Sequence, residues 1–151
     1  MGEKVGKILI KVSLIILLLG VLIYSGIKFY YSVIVPFDQS SIEMLQIREK
    51  VLQNSDSFLK IVLMMYFLGT AFGLWQIEEN VFLAKIKKIL ILCFATIGLE
   101  ILCVLPFCLI DRQLTADYML PVLNTVFNIP LMFVIIFMVK RFRRKLTDLW
   151  S

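Results

Sequence analysis

Four long apolar runs, separated by short polar stretches, dominate the pattern of the chain. They cover residues 12–35, 58–77, 89–110 and 118–139. About 20 residues of α-helix, at about 1.5 Å per residue, span a hydrocarbon core of roughly 30 Å. Because lipid offers no hydrogen bonds to the backbone, each run must satisfy its amides internally. The pattern predicts an all-α membrane protein, a four-transmembrane-helix bundle that forms a single membrane domain over residues 1–151.

The composition agrees with a membrane protein. Of the 151 residues, 60% are apolar and 18% are charged, and the mean hydropathy is +0.92. A soluble domain is usually about half apolar and about a quarter charged, so this chain carries more apolar surface than a water-soluble fold of its size can bury. The first run follows three lysines, as in a signal peptide. It is long for a signal sequence and lacks a small-x-small cleavage site, so we expect an uncleaved span.

The basic residues predict the orientation of the spans. They lie before the first run, between the second and third, and after the fourth. These three clusters hold 11 of the 16 basic residues: Lys4, Lys7, Lys11, Lys85, Lys87, Lys88, Lys140, Arg141, Arg143, Arg144 and Lys145. Positive residues favour the cytoplasmic side, so both termini are predicted to be cytoplasmic. We assign the net charge of +5 to contacts with anionic lipids and expect no direct binding of nucleic acid.

Two polar segments flank the runs. Residues 40–43 (SSIE) fit a helix capping box, and apolar residues recur after them at helical spacing. Residues 36–57 are therefore predicted to form an external amphipathic helix that lies on the outer leaflet or caps the bundle, with a peptide-sensing surface as the less favoured alternative. The basic cytoplasmic tail, residues 140–151, has apolar residues on one helical face. This pattern suits either anionic lipid or a partner protein.

Polar residues inside the runs predict an intramembrane layer. Glu100 lies at the midpoint of the third run, with Thr70 and Asn128 at similar depth and Lys28 about one turn further out. A charge at this depth costs roughly 2.5–3.5 kcal/mol on insertion scales, so Glu100 should face the bundle. We expect it to be neutral and hydrogen-bonded, or paired with Lys28. The layer then acts as polar contact between helices or, less favoured, Glu100 is a proton or cation site.

Gly69 and Gly73 form a G-x-x-x-G step in the second run. Two glycines at this spacing allow another helix to approach closely. The pattern indicates packing within one chain or between copies, so a homodimer is left open.

The sequence predicts no enzyme. It has no histidine, and its three cysteines lie in one apolar run, where they are expected to pack as small apolar side chains. The acidic pair Glu78 and Glu79 lacks a second cluster that would complete a catalytic site. We therefore predict no catalytic residues, no metal site and no cofactor. The pair is expected to form salt bridges with nearby lysines or to dock a basic cytoplasmic partner.

The segment 67–88 resembles a family. It contains the residues Gly69-x-x-Phe72-Gly73, then Trp75-x-Ile77-Glu78-Glu79. This pattern, with a basic end after the fourth span, is similar to an uncharacterised bacterial family of small four-span membrane proteins, many of them encoded beside a regulator with a LytTR DNA-binding domain. The resemblance implies a multi-pass protein of the bacterial cytoplasmic membrane that inhibits a cognate LytTR-type activator. The partner-binding residues would then be Trp75, Glu78, Glu79, Lys85, Lys87, Lys88, Arg141, Arg143 and Arg144.

Two other functions stay open at the level of sequence. One is a small proton-coupled exporter that uses Glu100, although small exporters are shorter and carry their carboxylate in the first span. The other is a bacteriocin immunity protein or a holin-like protein, since both classes are small, multi-span and basic at the tail.

Overall fold

The computed structural model describes residues 2–34, 42–76 and 82–150, all but a four-residue link of them helical. Helix α1 spans Gly2–Phe29 and continues as a π-helical segment over Tyr30–Ile34. Helix α2 spans Ile42–Gln76, α3 spans Phe82–Ile110 and α4 spans Thr115–Trp150. No strand occurs in these three ranges. The predicted all-α fold is confirmed.

All four helices are long and apolar enough to cross a membrane. The candidate spans are Glu3–Ile34, Ile42–Gln76, Lys87–Ile110 and Thr115–Ile135. Large apolar side chains point away from the bundle, for example Phe94 and Phe127, which are 71% and 78% exposed. An apolar exterior of this kind suits lipid and not water. The chain is therefore a multi-pass membrane protein, as the four runs predicted.

No break in the helix separates the predicted external segment from the second span. Helix α2 is a single helix of 35 residues, so residues 42–57 are its first turns and not a separate element. The polar residues near position 57 do not break the helix, because Ser55 donates a hydrogen bond to the carbonyl of Leu52 (2.7 Å) and Ser57 donates one to the carbonyl of Gln53 (3.1 Å). Residues 36–41 of the predicted segment lie outside the described residues. The basic tail continues α4 to Trp150.

The helices alternate in direction, so the two termini lie at the same end of the bundle. Gly73, near the end of α2, lies against Gly6 at the start of α1. At the opposite end, Lys28 of α1 pairs with Asp56 of α2, and Asp111 bonds to Tyr118 across the α3–α4 link. We call the end with both termini the basic end. Within the described residues, α1 and α4 each pack on both α2 and α3. Helices α2 and α3 are therefore diagonally opposite each other in the bundle.

Glycines bring α1 and α2 into close contact. A Cβ atom on Gly69 would collide with the side chain of Ser13, and one on Gly73 would lie 2.6 Å from Cγ1 of Ile10. Gly20 of α1 lies against Val62 of α2 in the same way. The G-x-x-x-G step therefore packs two helices of one chain. It does not support a homodimer.

Candidate functional site

Five buried polar side chains meet in the middle of the bundle, and we call them the midplane cluster. Each is at most 2% exposed. They come from three helices: Tyr66 and Thr70 of α2, Thr96 and Glu100 of α3, and Thr125 of α4. Both pairs on one helix are spaced by four residues, which places each pair on one helical face. The spacing directs both faces into the bundle, where their polar groups must find partners.

Hydrogen bonds connect most of the midplane cluster. Thr125 donates to Oε1 of Glu100 at 2.9 Å. Tyr66 donates to the hydroxyl of Thr96 at 3.2 Å, and that hydroxyl donates to the carbonyl of Leu92 at 2.8 Å. The cluster therefore joins α2, α3 and α4 at one level, including the diagonal pair α2 and α3.

One buried carboxylate oxygen of the cluster has no hydrogen-bond partner among the described residues. It is Oε2 of Glu100, whereas the hydroxyl of Thr70 interacts with that of Tyr66. Glu100 is 0% exposed. A buried polar atom left without a partner costs about 1–3 kcal/mol, and more when it is charged. The middle of the bundle therefore contains a carboxylate oxygen that no described group satisfies.

The predicted polar layer is correct in part. Glu100 and Thr70 belong to the midplane cluster, whereas Asn128 is half-buried and donates to the carbonyl of Asn124 in its own helix at 2.7 Å. The expected pairing of Glu100 with Lys28 is wrong, because Lys28 Nζ lies 3.1 Å from Oδ1 of Asp56. The other three members of the cluster, Tyr66, Thr96 and Thr125, were not predicted from the sequence. Their spacing of four residues from Thr70 or Glu100, or their depth in the fourth span, could have identified them.

Lys28 lies in a second polar cluster, nearer the end opposite the basic end. Its side chain is 8% exposed, whereas that of Asp56 is 43% exposed. Tyr24 donates to the same oxygen of Asp56 at 3.3 Å, and its ring centroid lies 5.4 Å from Nζ of Lys28. Among the described residues, the buried ammonium group is stabilised by the carboxylate of Asp56 and the ring of Tyr24.

A third polar cluster closes the same end of the bundle. Asp111, in the link between α3 and α4, accepts hydrogen bonds from the hydroxyl of Tyr118 (3.0 Å) and the backbone N–H of Gln113 (3.2 Å). The hydroxyl of Ser32, in the π-helical segment, also bonds to it and is the largest cause that lowers the pKa of Asp111 below its ordinary value of 3.8. The ring of Phe107 stacks on Tyr118 with centroids 5.8 Å apart. The carboxylate therefore links α1, α3 and α4.

The replacement of Asp111 by asparagine is expected to lower the stability at neutral pH by about 1–3 kcal/mol, because an amide accepts fewer hydrogen bonds than a carboxylate. Since the pKa is lower in the folded state, ionised Asp111 stabilises the fold at pH values above the unfolded-state pKa. This stabilisation is lost as the pH falls through the folded-state pKa. Thermal unfolding of the reconstituted protein between pH 7 and pH 3 measures both effects. The neighbouring Asp117→Asn is the control, and an Asp111→Asn variant that loses stability in acid as steeply as the wild type would contradict the assignment.

The basic end carries seven of the nine residues that were assigned to partner binding. Trp75 is 39% exposed at the end of α2, and Lys87 and Lys88 are exposed at the start of α3. The lysines of α1 share this end: Lys4, Lys7 and Lys11 are exposed. Lys85 and the arginines Arg141, Arg143 and Arg144 belong to the helical backbone of α3 and α4 there. Glu78 and Glu79 lie outside the described residues.

Charges of α1 and α3 also meet at the basic end. Lys7 Nζ lies 2.6 Å from Oε1 of Glu3, one turn earlier in α1. The positive charge of Lys88, from α3, acts on the same carboxylate. Helices α1 and α3 pack on each other, and their lysines therefore lie at the same end of the bundle.

The described residues contain no group of three or more histidine, cysteine, aspartate or glutamate side chains that could hold a metal ion. The three cysteines are free thiols. Cys93 and Cys108 are buried, and Cys103 is partly so. They pack among apolar residues of the two core clusters, as expected of small apolar side chains.

Comparison with known proteins found no protein-family model, no curated protein and no solved structure that matches this chain.

Proposed function

We propose that the protein is an inhibitor in the bacterial cytoplasmic membrane that binds a LytTR-type transcription activator and holds it away from its operator DNA. The observation that carries the proposal is the motif over residues 67–88, which ends at the basic end of the bundle. Trp75 at the end of α2 and the exposed lysines of α3 flank the residues that continue this motif. They give the partner an aromatic anchor within a charged rim, the usual arrangement of an interface.

The acidic pair at this end suits a regulator that binds DNA. A DNA-binding surface is basic because it must neutralise phosphates. The acidic pair Glu78 and Glu79 would attract that surface and compete with the operator for it. The surrounding lysines and arginines then have two roles. They contact anionic lipid, and they repel a basic partner everywhere except at the acidic pair. A regulator bound there is held at the membrane and cannot reach its promoter.

Charge reversal tests this docking site. The double variant Glu78→Lys/Glu79→Lys is expected to weaken binding of the regulator by about tenfold or more at low salt, since it places like charges across the interface. The loss should shrink as ionic strength rises, because salt screens exposed charges. Biolayer interferometry with the chain in nanodiscs and the purified regulator measures both effects.

A matched control is Glu43→Lys/Glu49→Lys, which reverses two exposed acidic residues of α2 near the end opposite the basic end. This variant makes the same change in net charge and should bind like the wild type. Equal affinities for the two double variants would remove Glu78 and Glu79 from the interface.

A further inference from the structure

Two asparagines of α4 lie in the middle of the membrane. Asn124 and Asn128 lie on either side of Thr125, which is the central residue of the span Thr115–Ile135 and donates to Glu100. At about 1.5 Å per residue, Thr125 is about 15 Å from either end of this span. Only long side chains such as those of lysine and arginine extend to the headgroups from within a helix. The two amides therefore remain in the hydrocarbon core.

The bundle leaves much of the hydrogen-bonding capacity of these amides unused. A carboxamide carries two N–H donors and an oxygen that accepts. The amide of Asn128 donates one N–H to the backbone carbonyl of Asn124, in the same helix, at 2.7 Å. Across the ranges that the structure describes, the side chain of Asn124 has no hydrogen-bond partner, and the side-chain oxygen of Asn128 has none. Lipid tails offer no donor or acceptor, so these groups are unfavourable where they face lipid.

Both asparagines border the lipid-facing surface of α4. They are half-buried, so part of each side chain is open to the exterior. Their neighbours one turn away point outward, since Leu120, Phe127 and Leu131 are exposed. Residues three or four apart adjoin each other on a helix surface. A helix packed on this side of α4 would therefore cover these apolar side chains and meet both amides.

A second copy of the chain fits this surface. Copies inserted in the same orientation form a dimer whose two-fold axis runs along the membrane normal, so each residue near the axis faces its own counterpart at the same depth. An amide is both donor and acceptor and can therefore pair with an identical amide. Asparagine side chains are among those that hydrogen-bond between membrane helices and promote their association.

We propose that Asn124, Asn128 and the exposed apolar residues around them bind a second copy of this chain, in a parallel dimer in which asparagine amides of the two α4 helices pair. This interface is separate from the glycine step of α2, which packs on α1 within one chain. The dimer is independent of the proposed regulatory function, because the surface contains none of the residues 67–88.

Association in lipid vesicles tests the role of the amides. Full-length chains that carry a donor or an acceptor fluorophore at the N terminus are mixed, and energy transfer is measured as the ratio of protein to lipid is lowered. Asn124→Leu/Asn128→Leu should weaken the association by about tenfold or more. Asn124→Gln keeps an amide at this position and should associate more tightly than Asn124→Leu.

Cross-linking locates the interface while both asparagines remain in place. Phe127→Cys on α4 and its matched control Phe94→Cys on α3 replace two phenylalanines that are 78% and 71% exposed. Oxidation in vesicles should produce disulfide-linked dimers of Phe127→Cys. Phe94→Cys should not exceed the level of the wild type, whose own cysteines are buried or partly so.

Three results would overturn the proposal. The first is a wild-type chain that stays monomeric at every ratio of protein to lipid, as expected if lipid or a different membrane protein covers this surface. The second is an Asn124→Leu/Asn128→Leu variant that associates as tightly as the wild type. The third is cross-linking through Phe94→Cys in place of Phe127→Cys, which would put the contact on α3.

Discussion

Asp56→Ala is expected to lower the free energy of unfolding by about 3 kcal/mol, because removal of one partner leaves a charge buried and uncompensated. The ammonium of Lys28 is the buried partner, at 8% exposure, and Asp56 supplies its only ion pair among the described residues. Water reaches Asp56, whose side chain is 43% exposed, so the loss should fall near the lower end of the range for buried pairs. Reversible unfolding in mixed micelles measures the difference.

Two comparisons separate the ion pair from a general effect of substitution. Glu49→Ala removes an exposed carboxylate from the same helix and should change stability by no more than about 0.5 kcal/mol. Adding Lys28→Met to Asp56→Ala should restore part of the lost stability, because it removes the uncompensated charge. If Asp56→Ala costs no more than Glu49→Ala, Lys28 does not depend on the pair.

Gly73→Ala is expected to destabilise the bundle by about 1–3 kcal/mol, the usual cost of overpacking. The added methyl group would lie 2.7 Å from the carbonyl oxygen of Gly6 and 2.6 Å from Cγ1 of Ile10. Because the first of these is a backbone atom, it cannot rotate away, and α1 must shift along its contact with α2.

Gly98→Ala is the matched control, since it makes the same substitution in a helix. Nothing lies within 4 Å of a Cβ atom at Gly98. The change should be neutral or should stabilise the helix by up to about 1 kcal/mol, the difference in helix propensity. The same unfolding assay compares the two variants, and equal stabilities would show that the close contact at Gly73 does not limit the packing.

The architecture follows from the sequence because lipid imposes a simple rule on the backbone. Each long apolar run had to be a helix, and the four predicted runs are four helices. The start of α2 was less predictable. The serines at positions 55 and 57 suggest a boundary, but their hydroxyls bond to carbonyls of the preceding turn and the helix continues. Hydropathy locates the apolar part of a helix and does not show how far the helix extends beyond it.

The interior contacts were harder to predict because depth in the membrane does not give the direction of a side chain around its helix. Glu100 and Lys28 lie within a few turns of each other in depth, but they face different partners, Thr125 and Asp56. The diagonal placement of α2 and α3 brings Tyr66 to Thr96, and no local pattern in the sequence contains that information. The glycines of α2 were identified correctly as a contact surface, and the structure adds that the partner is α1.

The central claim is that the protein holds a DNA-binding regulator at the membrane. The most direct test is to measure the membrane-bound fraction of the proposed LytTR-type regulator, with the chain present and absent, and to record transcription from the regulator's target promoter. The proposal predicts that the regulator moves to the membrane fraction and that transcription falls when the chain is present. A regulator that stays soluble, with unchanged transcription at equal expression of the chain, would contradict the claim.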